Sequence, residues 1–109
     1  MRLSGEHCRP LDHGAHPIPY NEAKELAREV PEWNLRDTSL EREYRFKDFG
    51  ESKGFVDKVA GIAEAENHHP DIFISYNKVF LSLSTHRAGG LTRNDFILAA
   101  RIDQAFQPA

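Results

Sequence analysis

Apolar residues recur along the chain with two different periods, and the changes between them mark out its elements. Over residues 21–30 the apolar positions Ala23, Leu26, Ala27 and Val30 follow three- and four-residue steps, which predicts a short helix stopped by Pro31. Residues 33–37 and 40–47 read as two strands around Thr38 and Ser39. In the second strand Leu40, Arg42, Tyr44 and Phe46 fall on one side, and Glu41, Glu43, Arg45 and Lys47 on the other. Arg42 is the one charged residue in the inward row, which suits a strand start or an edge. The helical period then returns with Phe55, Val56, Val59, Ile62, Ala63 and Glu66. Asp48 and Glu51 have the spacing of a capping pair at its start. Pro70 has no amide N–H and holds His69 extended, so this helix ends near Asn67 or His68. Alternation by two covers residues 72–76 and 79–85, with Asn77 and Lys78 as the expected two-residue turn. Gly89 and Gly90 break the chain before Thr92, which pairs with Asp95 as a capping box for a last helix lined by Phe96, Ala99, Ala100, Ile102 and Phe106.

The element order is therefore α-β-β-α-β-β-α, and strands joined as hairpins make an antiparallel sheet. The expected fold is α+β: a four-stranded antiparallel sheet with three helices packed on one face. The opposite face would carry Phe73, Ser75, Phe80, Ser82 and Ser84. That mixture is too apolar to be wholly wet and too polar to be a second core, which suits a contact between copies of the chain. A length of 109 residues fits one domain, taken as residues 20–109. Residues 1–19 carry Pro10, Gly14, Pro17 and Pro19 with little periodicity, and read as an irregular, loose N-terminal arm with His7, His13 and His16 on its surface.

Charge and composition narrow the function classes. Net charge is -3, and the cations Arg42, Arg45 and Lys47 are interleaved with Glu41 and Glu43, so no positive footprint for nucleic acid is visible. Cys8 is the single cysteine, which excludes an intrachain disulfide and a cysteine metal cage. No apolar run has the length of a signal sequence or a membrane span, so a cytoplasmic setting without membrane contact is expected.

The candidate chemistry is histidine. His68 and His69 sit where the strongest helix ends, and a histidine there is favoured as its cation by the partial negative charge of the helix C-terminus. Such a group can donate a proton to a leaving hydroxyl. The break at Pro70 frees both rings to approach one cleft, and His86, at the end of the last strand, can reach the same region. The competing reading is a pair of C-cap helpers with no chemistry. Glu64 lies one turn before His68, either orienting an imidazole or a substrate, or facing solvent. Asp95 is accounted for by the cap alone, and Trp33 suits either a flat heterocycle or the core. Ser84 and Thr85 offer polar groups to a ligand only if the strand frays there. A zinc site built from the three histidines with Glu64, Glu66 or Asp71 is the chemical rival, but adjacent His68 and His69 lack the helical spacing that aims two ligands at one ion.

The run Ala63-Glu64-Ala65-Glu66-Asn67-His68-His69-Pro70-Asp71 resembles the signature of the pterin-4a-carbinolamine dehydratases. Tyr76-Asn77-Lys78-Val79, Leu83-Ser84-Thr85-His86, and Gly90-Leu91-Thr92 with Asp95 are similar to that family too, as are Trp33 and Phe46-Lys47-Asp48-Phe49. The resemblance implies a hydro-lyase that converts a 4a-hydroxytetrahydropterin, such as 4a-hydroxytetrahydrobiopterin, to quinonoid dihydropterin and water. It implies His68 and His86 in acid/base catalysis and His69 holding the pterin. Asn67, Ser84 and Thr85 would line the substrate, with Glu64, Trp33 and Asp95 at further active-site positions. It also implies no redox cofactor and no metal, a homodimer or homotetramer, and a functional link to an aromatic amino-acid hydroxylase whose spent pterin is recycled. Asp71-Ile72 departs from the family pattern, where an aromatic often stands second after His-His-Pro. Vertebrate members also bind a homeodomain transcription factor, a surface for which this chain offers no sign. The remaining readings are a pterin-binding or regulatory protein without catalysis, and a protein-interaction module.

Overall fold

The two periods resolve into three helices and a four-stranded antiparallel sheet in the computed structural model, which describes residues 3–12 and 14–106. In chain order these are α1 (Tyr20–Ala27), β1 (Asn34–Leu35), β2 (Leu40–Arg45), α2 (Phe49–Glu66), β3 (Asp71–Ser75), β4 (Lys78–Leu83) and α3 (Arg93–Ala105). Short 3-10 turns lie at Leu3–Gly5 and His86–Ala88.

Two hairpins make the sheet, and they join through β2 and β4 to give the order β1-β2-β4-β3. Leu40 faces Leu83 and Tyr44 faces Val79 across β2 and β4, while Ile72 faces Leu81 and Ile74 faces Val79 across β3 and β4. Because side chains alternate along a strand, this register gathers Leu40, Tyr44, Val79, Leu81 and Leu83 on one face. Each is at most 1% exposed. The helices seal that face with Leu26 from α1, Phe55 and Val59 from α2, and Phe96, Ala99 and Ile102 from α3. The other face leaves Phe73 65% and Phe80 37% exposed, directly opposite each other on β3 and β4.

Several boundaries differ from the sequence reading. The helical pattern of residues 21–30 ends as regular helix at Ala27, but Arg28, Glu29 and Val30 each donate to the carbonyl three residues back, so the apolar stripe continues in tighter turns and Val30 is fully buried. The β3–β4 turn is Tyr76-Asn77, one residue earlier than expected, because Ser75 pairs with Lys78. The earlier turn keeps the Tyr76 phenol in solvent instead of on the core face, and the Asn77 carbonyl accepts the Phe46 N–H at 2.8 Å. Strand β1 keeps only two residues of the expected five, since Trp33 turns inward and its N–H bonds to the Val30 carbonyl.

Trp33 and Arg42 share a carboxylate on α3. Asp103 Oδ1 accepts from Trp33 Nε1 at 2.9 Å, from Arg42 Nη1 at 2.8 Å, and from the Tyr44 hydroxyl. The Arg42 guanidinium also lies 4.1 Å from the centre of the Tyr44 ring, so the inward arginine is both paired and stacked. Burial, and next the Asp103 carboxylate, push the Tyr44 phenol well above its usual pKa, so it stays a donor.

The N-terminal stretch is not loose where the structure describes it; His13 lies outside the described residues. Leu3 joins the core, and its N–H donates to Glu29 Oε1 at 2.8 Å. The Glu6 carboxylate takes two bonds from Arg93, at 2.8 and 2.6 Å, and the Glu6 carbonyl accepts from Arg101 Nε at 2.7 Å. Glu66, at the end of α2, accepts the Cys8 N–H at 2.6 Å and the His7 ring at 2.7 Å. Burial alone would raise the pKa of Glu66, but the Cys8 N–H, the His7 ring and Arg101 together hold it below the usual carboxylate value. Arg93 likewise lowers Glu6.

Two outcomes follow from these anchors. Asp103→Ala strands the Trp33, Tyr44 and Arg42 donors and should cost about 2 kcal/mol in urea unfolding, with Asp103→Asn losing less; a change under about 0.5 kcal/mol would contradict this role. The lowered Glu6 and Glu66 pKa values contribute stability that is present above their unfolded value of 4.5 and is lost as pH falls through the folded values. Wild type and Glu66→Gln should therefore differ in unfolding midpoint at neutral pH and converge in acid.

Candidate active site

The site begins at the C-terminus of α2. Asn67 adopts φ 54° and ψ 41°, its N–H bonds to the Glu64 carbonyl at 3.4 Å, and the His68 N–H bonds to the Ala63 carbonyl at 3.2 Å. This reversed pair of bonds is a Schellman cap, and asparagine is among the few residues that enter the left-handed region at modest cost. The cap turns the chain off the helix axis, and Pro70 then carries it into β3. His68 and His69 are thus placed by a cap and a proline, both local features.

The end of β4 supplies the facing wall. Regular pairing stops at Leu83, and Thr85 instead makes an isolated bridge with Gly90, its N–H donating to the Gly90 carbonyl at 2.9 Å. His86 therefore opens the 3-10 turn His86–Ala88 and does not extend the strand. Gly89 closes that turn at φ 78°, a conformation that suits a residue without a side chain.

Asp95 joins the two walls. Its carboxylate is fully buried: Oδ2 accepts the Thr92 N–H at 2.9 Å and the Thr85 hydroxyl at 2.8 Å, and Oδ1 lies 2.6 Å from His68 Nε2. The Thr85 hydroxyl gives its one proton to Asp95, so the Thr92 hydroxyl, 2.8 Å away, donates to Thr85 in turn. With Oδ2 already accepting two donors, Asp95 acts as a carboxylate and His68 Nε2 is the donor. That leaves His68 Nδ1 as the atom available for chemistry: an acceptor when the ring is neutral, a donor when it is protonated. The capping role read from the sequence and a histidine-orienting role coexist in one side chain.

Asn67, His68, His69, Ser84, Thr85 and His86 all line one open cleft of about 320 Å³. His68 is largely covered, with 13% of its side chain exposed, while His69 is half exposed and hydrogen-bonded through Nε2 to Glu64. Glu64 thus stands beside the cleft, and Asp95 lies beneath it. The Ser84 hydroxyl donates to the Thr38 carbonyl at 2.6 Å, so that side chain braces the β1–β2 turn. Trp33 does not line the cleft; it is buried against Tyr44 and Asp103. Among the described residues there are larger concavities, of about 770, 560, 470 and 450 Å³; the first adjoins the cleft and shares Arg9, Pro10, Leu11 and Asn94 with it, and none of the four gathers more than one histidine. Among the described residues, no three of His, Cys, Asp or Glu are grouped to hold a metal ion.

Five residues that sequence reasoning did not single out complete the lining: Arg9, Pro10, Leu11, Arg87 and Asn94. Asn94 and Arg87 adjoin Asp95 and His86 in sequence, which is a signal of a kind. The arm residues give none, because Asn94 brings them there: its Oδ1 accepts the Arg9 N–H at 3.0 Å and its Nδ2 donates to the Arg9 carbonyl at 2.8 Å. Nearby Cys8 is no nucleophile. Burial, and then the charges of Glu66 and Asp95, push its thiol to about 12, and it donates to the Asn94 carbonyl.

Comparison with known proteins identifies relatives of the chain. The family described as pterin 4 alpha carbinolamine dehydratase matches residues 16–105. A Chromobacterium violaceum protein provisionally named pterin-4-alpha-carbinolamine dehydratase is 41% identical over 107 residues, covering 98% of each chain. Among solved structures, a transcriptional coactivator/pterin dehydratase from Brucella melitensis superposes with a TM-score of 0.77 at 31% identity, covering 82% of this chain and 97% of that one. A pterin dehydratase-like protein described as a RuBisCO assembly factor in the alpha-carboxysome shares the fold, with a TM-score of 0.55 at 22% identity over 66% of this chain and 83% of that one. With the family match spanning most of its length, the chain belongs to the pterin 4 alpha carbinolamine dehydratase family.

Proposed function

We propose that the chain dehydrates a 4a-hydroxytetrahydropterin, such as 4a-hydroxytetrahydrobiopterin, to quinonoid dihydropterin and water, with His68 and His86 exchanging the protons. The observation that carries this reading is the meeting of His68, His69 and His86 on one cleft, with His68 held from behind by buried Asp95. Family membership supports pterin carbinolamine dehydratase activity, and the residue roles are our assignment.

The reaction asks little of a protein. The C–O bond at C4a breaks as its hydroxyl takes up a proton and leaves as water, and loss of a proton from a ring nitrogen supplies the new double bond. One proton enters and one leaves, so two groups near neutrality suffice. His68 suits one task because the bond to Asp95 fixes its tautomer and presents Nδ1. His86, exposed on the opposite wall, suits the other and can exchange protons with solvent. His69, steadied by Glu64, holds the pterin, with Asn67, Ser84 and Thr85 lining its binding region.

The same reading places the enzyme in tetrahydropterin recycling beside an aromatic amino-acid hydroxylase, in the cytoplasm, as a homodimer or homotetramer. Exposed Phe73 and Phe80 support self-association. Among the described residues no helix is long and apolar enough to cross a membrane. A second reading is a protein-interaction module without catalysis, since a protein of the same fold is described as a RuBisCO assembly factor.

Activity separates the two. With enzymatically generated 4a-hydroxytetrahydropterin, quinonoid product should form well above the spontaneous rate; equality with that rate would rule out the enzyme. His68→Ala and His86→Ala should each lower kcat by about 10²-fold or more, and Asp95→Asn by about 10- to 100-fold. Thermal unfolding of each variant checks that the loss is not misfolding. Undiminished kcat in both histidine variants would sink the assignment.

A further inference from the structure

Two arginines at the cleft stand apart from every other described arginine. Arg28, Arg36, Arg42, Arg45, Arg93 and Arg101 each sit within 4.0 Å of a carboxylate oxygen. Arg9 and Arg87 do not: among the described residues neither guanidinium has an ion pair or a hydrogen bond, and both line the histidine cleft. Glu6 feels the charge of Arg9, but its carboxylate is already held by Arg93 with two bonds.

The cleft's charge is also the reverse of the chain's. The protein carries a net charge of -3, yet the residues lining this cleft include both arginines and three histidines and no aspartate or glutamate. The two carboxylates bonded to the cleft's histidines are occupied, Asp95 by His68, Thr85 and Thr92, and Glu64 by His69. The backbones under the two arginines are fixed. Arg9 is clamped by the Asn94 amide on both its N–H and its carbonyl, and Arg87 lies inside the 3-10 turn that His86 opens. Fixed bases with free guanidinium heads in a concave site concentrate positive potential where a ligand enters. A guanidinium fork matches phosphate or carboxylate oxygens, and leaving two such forks unpaired is otherwise without a structural return.

We propose that Arg9 and Arg87 select pterins whose side chain ends in an anionic group, a phosphate ester or a carboxylate. This rests on the pterin reading of the cleft: the ring sits among the histidines and the charged end of its substituent meets the arginine rim.

Three stable 7,8-dihydropterins test it, alike except for a side chain ending in hydroxyl, phosphate monoester or carboxylate. Each is titrated calorimetrically into the full-length protein at low and at high salt. At low salt an anionic probe should bind about tenfold or more tightly than the hydroxyl probe, and whichever anion shows the larger ratio names the source. That ratio should shrink at high salt and fall towards one in the double variant Arg9→Ala, Arg87→Ala. Arg87→Lys should keep part of it, and Arg87→Glu should reduce it further than Arg87→Ala. Equal affinity for all three probes, or a preference that survives in the double variant, overturns this proposal and leaves the pterin site standing. Failure of all three probes to bind overturns the pterin reading itself.

Discussion

A buried carboxylate is costly unless its oxygens are satisfied, and the architecture around Asp95 meets that constraint. Its partners come from three places: the Thr92 N–H at the start of α3, the Thr85 hydroxyl beyond β4, and the His68 ring beyond α2. Removing any one would leave a fully buried charge short of a donor. The negative charge also lies in the first turn of α3, where the helix dipole favours it. One side chain thus caps a helix, closes the sheet's open end, and sets the tautomer of the histidine above it. The cleft is a consequence of that closure, since the elements that satisfy Asp95 are the same ones that carry its walls.

Helix α3 distributes such anchors along its length. Asp103, two turns beyond Asp95, gathers Trp33, Arg42 and Tyr44, and beside it Tyr44, Phe55 and Phe106 pack at ring separations of 4.6 to 5.8 Å. Arg93 and Arg101 hold the N-terminal arm on the outer side of the same helix. A domain of 109 residues buries a modest core, so polar ties that fix the relation of core elements carry weight here. They also divide labour. The Asp103 end is packed with aromatic rings, whereas the Asp95 end gathers the histidines and polar side chains of the cleft.

The arm changes what the cleft is. Residues 9–11 line the cleft together with the histidines released at the end of α2 and at the His86 turn. The Asn94 amide reads the arm as one strand reads another, through an N–H and a carbonyl, and so adds a third wall. The same clamp brings Arg9 to the rim opposite a chain that is acidic as a whole.

What the sequence by itself determined is what local chemistry determines. Alternation by two placed the sheet's buried row, the helical stripes placed the covering face, and Pro70 with Asn67 ended α2 where His68 and His69 are released. Motif likeness named the family and the six residues that meet on the cleft. Only the tertiary structure decided the rest. It gave Asp95 a histidine as well as a cap, took Trp33 away from the cleft to Asp103, drew the arm onto α3, and left Arg9 and Arg87 without an ion-pair partner among the described residues. Those decisions depend on contacts between residues 27 to 95 positions apart. Propensity and periodicity act through neighbouring dihedrals and faces and carry no information over such separations; packing does.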